Sequence, residues 1–164
     1  MKHIINAKTS LTNIDDSLMT SNAIDLRIQK VIKLDPYSVF KISENDKQHR
    51  STKELLPDEN DDWYLDPGTY EIVLDHIITV GEGEAGWVIT RSTLNRNGLF
   101  ITSGLFDSGY NGPLAMALHV NCGPAIIKKG TRVAQYLTFD AETAFLYNGS
   151  YGINTTHDKE RYGV

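Results

Sequence analysis

Residues 91–139 read RSTLNRNGLFITSGLFDSGYNGPLAMALHVNCGPAIIKKGTRVAQYLTF. The stretch consists of short apolar runs separated by Gly, Pro and Asn. Runs of this length, bounded by turn residues, predict β-strands. Further short runs lie upstream, where Tyr70, Ile72 and Leu74 alternate with Glu71, Val73 and Asp75 after the turn signal Asp-Pro-Gly. The predicted strands are residues 70–75, 77–80, 87–90, 99–102, 114–120, 125–127 and 133–139.

Several short strands with regular turns predict an all-β sandwich or barrel. One short helix is expected over residues 92–97, where Ser92 can cap the first turn and Gly98 can end the last. At 164 residues the chain fits a single domain, residues 1–164, with a workable hydrophobic core. Residues 41–62 are mostly polar, and we expect them to form an exposed loop or an insertion.

The composition excludes several classes of function. A net charge of −5 provides no basic field for a nucleic-acid backbone. The single cysteine, Cys122, and the absence of a His-x-Glu motif exclude a zinc deaminase of the His/Cys/Cys type. No apolar run resembles a signal peptide or a membrane span, and a cytoplasmic location is therefore expected. The five histidines lack metal-ligand spacing, and His3, His49 and His157 are expected to be solvated residues of the tails or loops.

Two segments contain the side chains that could carry chemistry. Asp107 lies between an apolar strand and a Gly-rich turn, where an ionised carboxylate can accept a proton from water. An aspartate in this position can equally serve only to hydrogen-bond its own turn. In RSTLNR, Arg91 can bind an oxyanion with its guanidinium fork, and Ser92 adds a hydroxyl group at a helix start.

Five motifs in this order resemble those of the trimeric dUTPase and dCTP deaminase superfamily. They are SNAIDLRI (residues 21–28), WYLDPGTYEI (63–72), RSTLNR (91–96), SGLFDSGYNG (103–112) and GTRVAQ (130–135). The resemblance implies a distorted jelly-roll or β-barrel fold of the dUTPase-like type. It also implies a homotrimer in which each site is built between subunits.

The resemblance assigns roles to individual residues. Asp107 would orient the water that attacks the α-phosphate, and Tyr110 would stack on the deoxyribose and exclude a 2′-hydroxyl group. Asp25 would organise the metal-triphosphate region. The main chain at Thr102 and Ser103 would read the pyrimidine. The remaining substrate-binding candidates are Arg91, Ser92, Thr93, Arg96, Gly104 and Gln135.

Two positions separate hydrolysis from deamination within the superfamily. Deaminases of this type use a glutamate as proton shuttle, and the corresponding residue here is Ala117, which cannot transfer a proton. Gly104 replaces the histidine typical of deaminases that stop at dUTP and leaves room for an attacking water. Both differences favour hydrolysis, whereas RSTLNR is closer to the deaminase version. Alternation along residues 114–120 places His119 on the same face as Ala117, so His119 is the candidate for a relocated shuttle.

The resulting prediction is hydrolysis of dUTP to dUMP and pyrophosphate, with Mg²⁺ held by the substrate phosphates and water rather than by protein ligands. A dCTP deaminase or a bifunctional deaminase–dUTPase is the alternative. A non-catalytic relative that binds a nucleotide or a protein is a further alternative, and a modified pyrimidine could be the substrate. No nucleic-acid or membrane partner is expected.

The end of the chain departs from both branches of the superfamily. Residues 140–164 are expected to form an arm or a lid, and two versions are open. Arg161 and Tyr162 could form a shortened dUTPase arm, or Tyr147 and Tyr151 could belong to a deaminase-type lid. A tail without function is the third possibility.

Overall fold

The computed structural model describes all 164 residues, and most of its regular structure is β-strand. Two short α-helices accompany the strands, α1 (Ser92–Arg96) and α2 (Thr156–Tyr162), together with single 3-10 turns at Ile4–Asn6 and Asp16–Leu18. The strands are β1 (Ser10–Leu11), β2 (Ile24–Leu34), β3 (Lys41–Ile42), β4 (Lys47–Gln48), β5 (Thr52–Leu55), β6 (Asp62–Leu65), β7 (Gly68–Thr79), β8 (Glu84–Thr90), β9 (Leu99–Thr102), β10 (Leu105–Phe106), β11 (Asn111–Val120), β12 (Ala125–Lys128) and β13 (Arg132–Asp140).

Nine strands form one antiparallel sheet whose main path runs β10-β8-β13-β2-β7-β11-β9. Strands β1 and β5 pair with β7 and β2, off this path. The sheet curls until β8, near one margin, meets β9 at the other. There the Thr90 hydroxyl accepts a hydrogen bond from the Ile101 amide at 2.7 Å and donates one to the Ile101 carbonyl at 3.0 Å. The predicted all-β fold is confirmed, and the curled sheet corresponds to the predicted barrel.

The core lies inside the curl and contains alternate residues of the long strands. In β11, Leu114, Met116, Leu118 and Val120 are buried, whereas the residues between them are partly exposed on the opposite face. This is the alternation that the sequence predicts. Each fully buried leucine contributes about 1.5–3 kcal/mol to folding, so the position of β11 is strongly determined.

The predicted short helix forms as α1, but its cap differs from the prediction. Arg91, not Ser92, occupies the N-cap position, and no side chain caps the helix. Gly98 follows the helix with φ +75°, a conformation that glycine adopts without strain. The expectation of a single helix is wrong, because α2 is also present. Neither helix has the length and apolar character needed to cross a membrane.

Residues 41–62 are exposed but not devoid of structure. They contain the β3–β4 hairpin and β5, which pairs with β2. The hairpin contacts the end of the chain, because Lys47 Nζ donates to Ser150 Oγ at 2.7 Å and to the Tyr151 hydroxyl at 3.1 Å. The polar region and the chain terminus are therefore in contact with each other.

Residues 141–164, the C-terminal segment, are folded against the same chain. The Ile153 amide donates to the Asn111 carbonyl at 2.9 Å, which joins the segment to the start of β11. The two backbones approach closely, since a Cβ on Gly112 would lie 2.7 Å from the Cα of Gly152. Glycine at position 112 is thus required for the segment to dock where it does.

Candidate functional site

Asp107 lies in a rigid turn between β10 and β11. The Tyr110 amide donates to the Asp107 carbonyl at 3.0 Å, and the buried Ser108 hydroxyl donates to the Glu84 carbonyl at 2.5 Å. The turn thus closes without the Asp107 side chain, which is exposed. A carboxylate that is carried by a hydrogen-bonded turn but left accessible can take a proton from water.

Tyr110 is buried three residues after Asp107. Its hydroxyl donates to the Pro113 carbonyl at 2.9 Å, and its ring meets the ring of Tyr147 edge-on, with 5.3 Å between centroids. Burial, and to a smaller extent the charge of Asp158, raises the pKa of Tyr110, so the hydroxyl group remains a donor at neutral pH. The aromatic ring is therefore held in a fixed orientation.

Asp107 and Tyr110 line one cavity of about 530 Å³, a size typical of small-molecule sites. One wall is formed by the turn and β11, and the opposite wall by the C-terminal segment. Asp107 also lines a second cavity of about 510 Å³, formed largely by residues 141–149. Asp107 thus lies at the boundary of both cavities. Gly104 lines the first cavity, and a Cβ at this position would meet no atom within 4 Å.

A second group of candidate residues surrounds Asp25 in β2, and we refer to Asp25, Arg91, Arg132 and Gln135 as the Asp25 cluster. The Asp25 side chain is only 2 % exposed. Gln135 Nε2 donates to its Oδ1 at 3.0 Å, and Arg91 Nε and Arg132 Nη1 each lie 3.4 Å from its Oδ2. One buried carboxylate thus holds two guanidinium groups that remain partly exposed, an arrangement suited to binding an anion.

Arg132 is the member of the Asp25 cluster that the sequence analysis missed. Strands β13 and β2 pair so that Gln135 lies opposite Asp25 and Arg132 lies opposite Arg27. Arg27, two residues after Asp25 in β2, pairs with Asp15, with 3.0 Å between Arg27 Nη2 and Asp15 Oδ2. The spacing of Arg132 and Gln135 in GTRVAQ was the available signal, but only the register of the strands shows that both reach Asp25.

The other predicted phosphate ligands lie on α1, directly after Arg91. Ser92, Thr93 and Arg96 are exposed there. The helix that carries them begins after Arg91, a member of the Asp25 cluster. No hydrogen bond from their side chains fixes them within the chain. These three residues are available to a ligand.

Thr102 and Ser103 lie next to the cavity but do not line it. The Thr102 hydroxyl bonds to His119 Nε2 at 3.0 Å, and the Ser103 hydroxyl accepts from the Val88 amide at 3.3 Å. Their side chains are thus engaged within the sheet, and the role of their main chain in reading a base stays a prediction.

The structure does not place His119 where a relocated proton shuttle would be needed. Both ring nitrogens bond to hydroxyl groups, Nε2 to Thr102 and Nδ1 to Thr69 at 3.2 Å, and His119 does not line the cavity. Ala117 does line it. A carboxylate that the sequence analysis did not single out, Glu71, lines it as well.

His49 and His157 are not solvated, and that expectation is wrong. Their ring centroids are 4.6 Å apart, and both line the cavity. His157 Nδ1 lies 2.7 Å from Asp158 Oδ1. Burial, followed by the nearby charge of His157, lowers the pKa of His49. The two rings therefore pack the β3–β4 side of the cavity against α2.

The candidate residues thus form two separate groups within one chain. Asp107, Tyr110 and Gly104 share the cavity, and no member of the Asp25 cluster lines it. The chain contains no group of three or more His, Cys, Asp or Glu side chains placed to hold a metal ion.

Comparison with known proteins identifies relatives over most of the chain. The family model described as dCTP deaminase-like matches residues 1–141. The deoxyuridine 5′-triphosphate nucleotidohydrolase of Methanocaldococcus jannaschii is 29 % identical over 153 residues, which cover 90 % of this chain and 97 % of the relative. The probable deoxyuridine 5′-triphosphate nucleotidohydrolase of Methanothermobacter thermautotrophicus is 32 % identical over 140 residues, covering 83 % and 89 %.

Solved structures share the fold at lower identity. The 2′-deoxycytidine 5′-triphosphate deaminase of Agrobacterium tumefaciens superposes with a TM-score of 0.60 and 15 % identity, over 80 % of this chain and 43 % of that one. A variant of the dUTPase of phage phi11 of S. aureus gives a TM-score of 0.52 and 15 % identity, over 89 % and 99 %, and is described as coordinating a structural Mg(II) ion. These likenesses support the barrel fold.

Proposed function

The chain belongs to the dCTP deaminase-like family, and from that membership and the geometry of its site we propose that it hydrolyses dUTP to dUMP and pyrophosphate. The observation that carries the proposal is the exposed carboxylate of Asp107, which a hydrogen-bonded turn places at the wall of the 530 Å³ cavity next to Tyr110. Ala117 supplies no proton shuttle for deamination at the position where the family's deaminases have one. The archaeal relatives named as dUTP nucleotidohydrolases support the same choice.

In the proposed mechanism, Asp107 orients a water molecule and takes its proton as the oxygen attacks the α-phosphorus. The bond from this phosphorus to the bridging oxygen breaks, and pyrophosphate leaves. Arg91 and Arg132, which Asp25 holds in a fixed orientation, would bind the triphosphate. The Tyr110 ring would support the deoxyribose.

Magnesium would supply charge neutralisation on the triphosphate. Mg²⁺ would be bound by phosphate oxygens and water, because this ion keeps several waters and takes few protein ligands.

We also propose a homotrimer in which the Asp25 cluster of one subunit faces the Asp107 cavity of another. Two observations support this arrangement: the two groups do not share a cavity within one chain, and Trp87 and Leu105, paired across β8 and β10, are 50 % and 62 % exposed beside Asp107. Exposed apolar pairs of this kind are typical of interfaces. Light scattering coupled to gel filtration tests it, and an active monomer would contradict it.

The decisive experiment incubates the protein with Mg²⁺ and either dUTP or dCTP, and follows pyrophosphate and ammonia together. We expect pyrophosphate from dUTP and its loss in Asp107→Asn. Binding of both nucleotides without any product would refute hydrolysis and favour a non-catalytic relative. No binding of either nucleotide would point to a different substrate, such as a modified pyrimidine.

Deamination of dCTP is the second candidate, and the deaminase-like RSTLNR motif is the observation that favours it. His119 is a poor shuttle because both of its nitrogens are engaged by threonine hydroxyls outside the cavity. In the same assay, ammonia released from dCTP by the wild-type protein would establish this activity, and its absence would exclude it.

A further inference from the structure

Glu71 lies in a row of side chains that crosses three strands. In the pairing of β7 with β11, Glu71 is opposite Ala117, and in the pairing of β11 with β9, Ala117 is opposite Thr102. Residues directly opposite one another in antiparallel strands have side chains on the same face, about 4.5–5.5 Å apart at Cβ. The small Ala117 therefore separates Glu71 from the segment that is expected to read the base.

The Glu71 side chain is 14 % exposed, and the space it faces is the cavity that also contains Asp107 and Tyr110. It is held in place by α2. Oε2 accepts hydrogen bonds from Arg161 Nε, at 2.8 Å, and from Arg161 Nη2, while Oε1 accepts one from the Tyr162 hydroxyl. Burial, and next the charge of Glu71, raises the pKa of Tyr162, which keeps this hydroxyl a donor.

These contacts leave Glu71 with unused capacity as an acceptor. An ionised carboxylate offers about four lone-pair sites. The donors of Arg161 and Tyr162 occupy three of them. A latch that only held α2 to the sheet would not need to lie in the cavity wall beside an alanine. The remaining capacity is available to a donor inside the cavity.

We propose that Glu71 is a specificity-determining residue, which accepts a hydrogen bond from the ring imino N–H of a uracil base. This inference rests on the proposed function, because it takes dUTP as the ligand of the cavity. The imino group is the only hydrogen-bond donor on a uracil ring attached to a sugar. Arg161 and Tyr162 act as positioning residues that fix the carboxylate. Docking of the C-terminal segment and recognition of the base are thereby coupled.

The test is a double-mutant cycle that combines one change in the protein with one change in the ligand. Binding is measured by calorimetry. Both proteins carry Asp107→Asn so that the nucleotide is not consumed, and one also carries Glu71→Gln. Each is titrated with dUTP and with its analogue methylated on the imino nitrogen. We expect Glu71→Gln to weaken dUTP binding about tenfold, the usual order for a hydrogen bond to a charged group. The methylated analogue should bind about tenfold more weakly than dUTP to the Glu71 protein, and Glu71→Gln should not weaken it further.

If Glu71→Gln weakened the binding of both ligands equally, the inference would be overturned, and Glu71 would only hold α2 against the sheet. Arg161→Gln is the companion variant, because it loosens α2 but retains the carboxylate. Arg161→Gln should weaken dUTP binding less than Glu71→Gln does, and it should preserve the preference for the unmethylated ring. Melting temperatures of all variants identify any loss of folding. If dUTP binds with this preference but the wild-type protein releases no pyrophosphate, only the proposed hydrolysis fails.

Discussion

Asp25 and Asp107 are both carboxylates of the candidate site, but they differ in burial and in hydrogen bonding. Asp25 is buried and bonded to Gln135, with Arg91 and Arg132 beside it. Asp107 is exposed, and its turn is held by backbone and serine contacts instead. The first carboxylate has its partners inside the chain, whereas the second is left available to a ligand.

The difference follows from where each residue lies. A charge inside a sheet must be paired, because removing it from water costs several kcal/mol. Asp25 in β2 satisfies this requirement with cations from two other elements, and so fixes their positions. A charge in an exposed turn carries no such cost, and Asp107 can remain free. The comparison separates a carboxylate that organises other residues from one that can react.

Replacing Asp107 should have the largest effect on activity and almost none on stability. Asp107→Asn removes the proton acceptor, so we expect pyrophosphate release from dUTP to fall about 10²–10⁴-fold, the usual contribution of general acid–base catalysis. The melting temperature should stay within about 2 °C of the wild type, because a surface change typically costs under about 0.5 kcal/mol. Both quantities are measured on the same preparation.

The matched control is Asp46→Asn, an aspartate in the exposed turn of the β3–β4 hairpin. It should leave both activity and melting temperature unchanged. An Asp107→Asn protein that retains full activity would remove the distinction between the two carboxylates.

Replacing Asp25 should reverse this pattern. Asp25→Asn leaves Arg91 and Arg132 without their shared anion, and we expect a loss of about 2–3 kcal/mol in the free energy of unfolding, as for hydrogen bonds to charged groups. Nucleotide binding should weaken as well, since both guanidinium groups lose their fixed orientation. Urea unfolding and calorimetric titration with dUTP measure the two effects.

The control here is Asp15→Asn, which removes a half-exposed ion pair with Arg27. Exposed pairs contribute about 0–1 kcal/mol, so this variant should unfold close to the wild type. If Asp25→Asn and Asp15→Asn lower the free energy of unfolding equally, the burial of Asp25 does not make its contacts stronger than those of an exposed ion pair.

Glu84 provides a carboxylate that is as firmly held as Asp25 but lies outside both groups. It is 1 % exposed and accepts from the Lys8 amide at 2.9 Å and the Thr9 hydroxyl at 2.7 Å. Burial by itself would raise its pKa, but these donors and the Lys2 ammonium lower the pKa of Glu84 from 4.5 to about 2. Glu84 thus ties the N-terminal segment to β8.

The pH dependence of unfolding follows from this shift. Because the pKa is lower in the folded protein, the contribution of Glu84 is complete above about pH 4.5 and is lost as the pH falls towards 2. Glu84→Gln should therefore cost about 1.5–3 kcal/mol at pH 7 and weaken the acid dependence of stability. Glu82→Gln, an exposed neighbour, should do neither. Thermal unfolding between pH 7 and 2 tests this, and parallel curves for Glu84→Gln and wild type would contradict it.

The fold could be predicted because its signals are local. Alternation in residues 114–120 and the glycine after α1 indicate strand and helix boundaries without reference to distant residues. The α2 helix also has local boundary signals, Thr155 at its N-cap and Gly163 in the left-handed conformation at its C-cap, but the sequence pattern did not lead us to predict it. Its docking depends on Arg161 meeting Glu71, 90 positions earlier, and nothing in the polar segment itself specifies that partner. Tertiary contacts decide such a short helix, not its propensity.

The same distinction applies to the candidate site. Asp107 and Tyr110 could be named from one continuous motif, and the turn places both at one cavity. Arg132 and Glu71 could not, because their relevance depends on strand register and on which face of the sheet the terminus covers. A slip of one residue would turn either side chain to the other face. Sequence motifs thus located the reactive turn, and only the pairing of strands located its surroundings.

The smallest predicted effect concerns the anchored member of the cavity, Tyr110, and it sharpens the contrast with its free neighbour Asp107. Tyr110→Phe keeps the ring but removes the hydrogen bond to the Pro113 carbonyl. We expect a loss of about 0.5–1.5 kcal/mol in the free energy of unfolding, and a change of less than about threefold in pyrophosphate release, because a hydroxyl group bonded to the main chain takes no part in the reaction. Tyr64→Phe, at an exposed position in β6, is the control and should be neutral. A large fall in kcat without a loss of stability would show that the Tyr110 hydroxyl group acts on the substrate, and the division between a free carboxylate and a fixed aromatic ring would no longer hold.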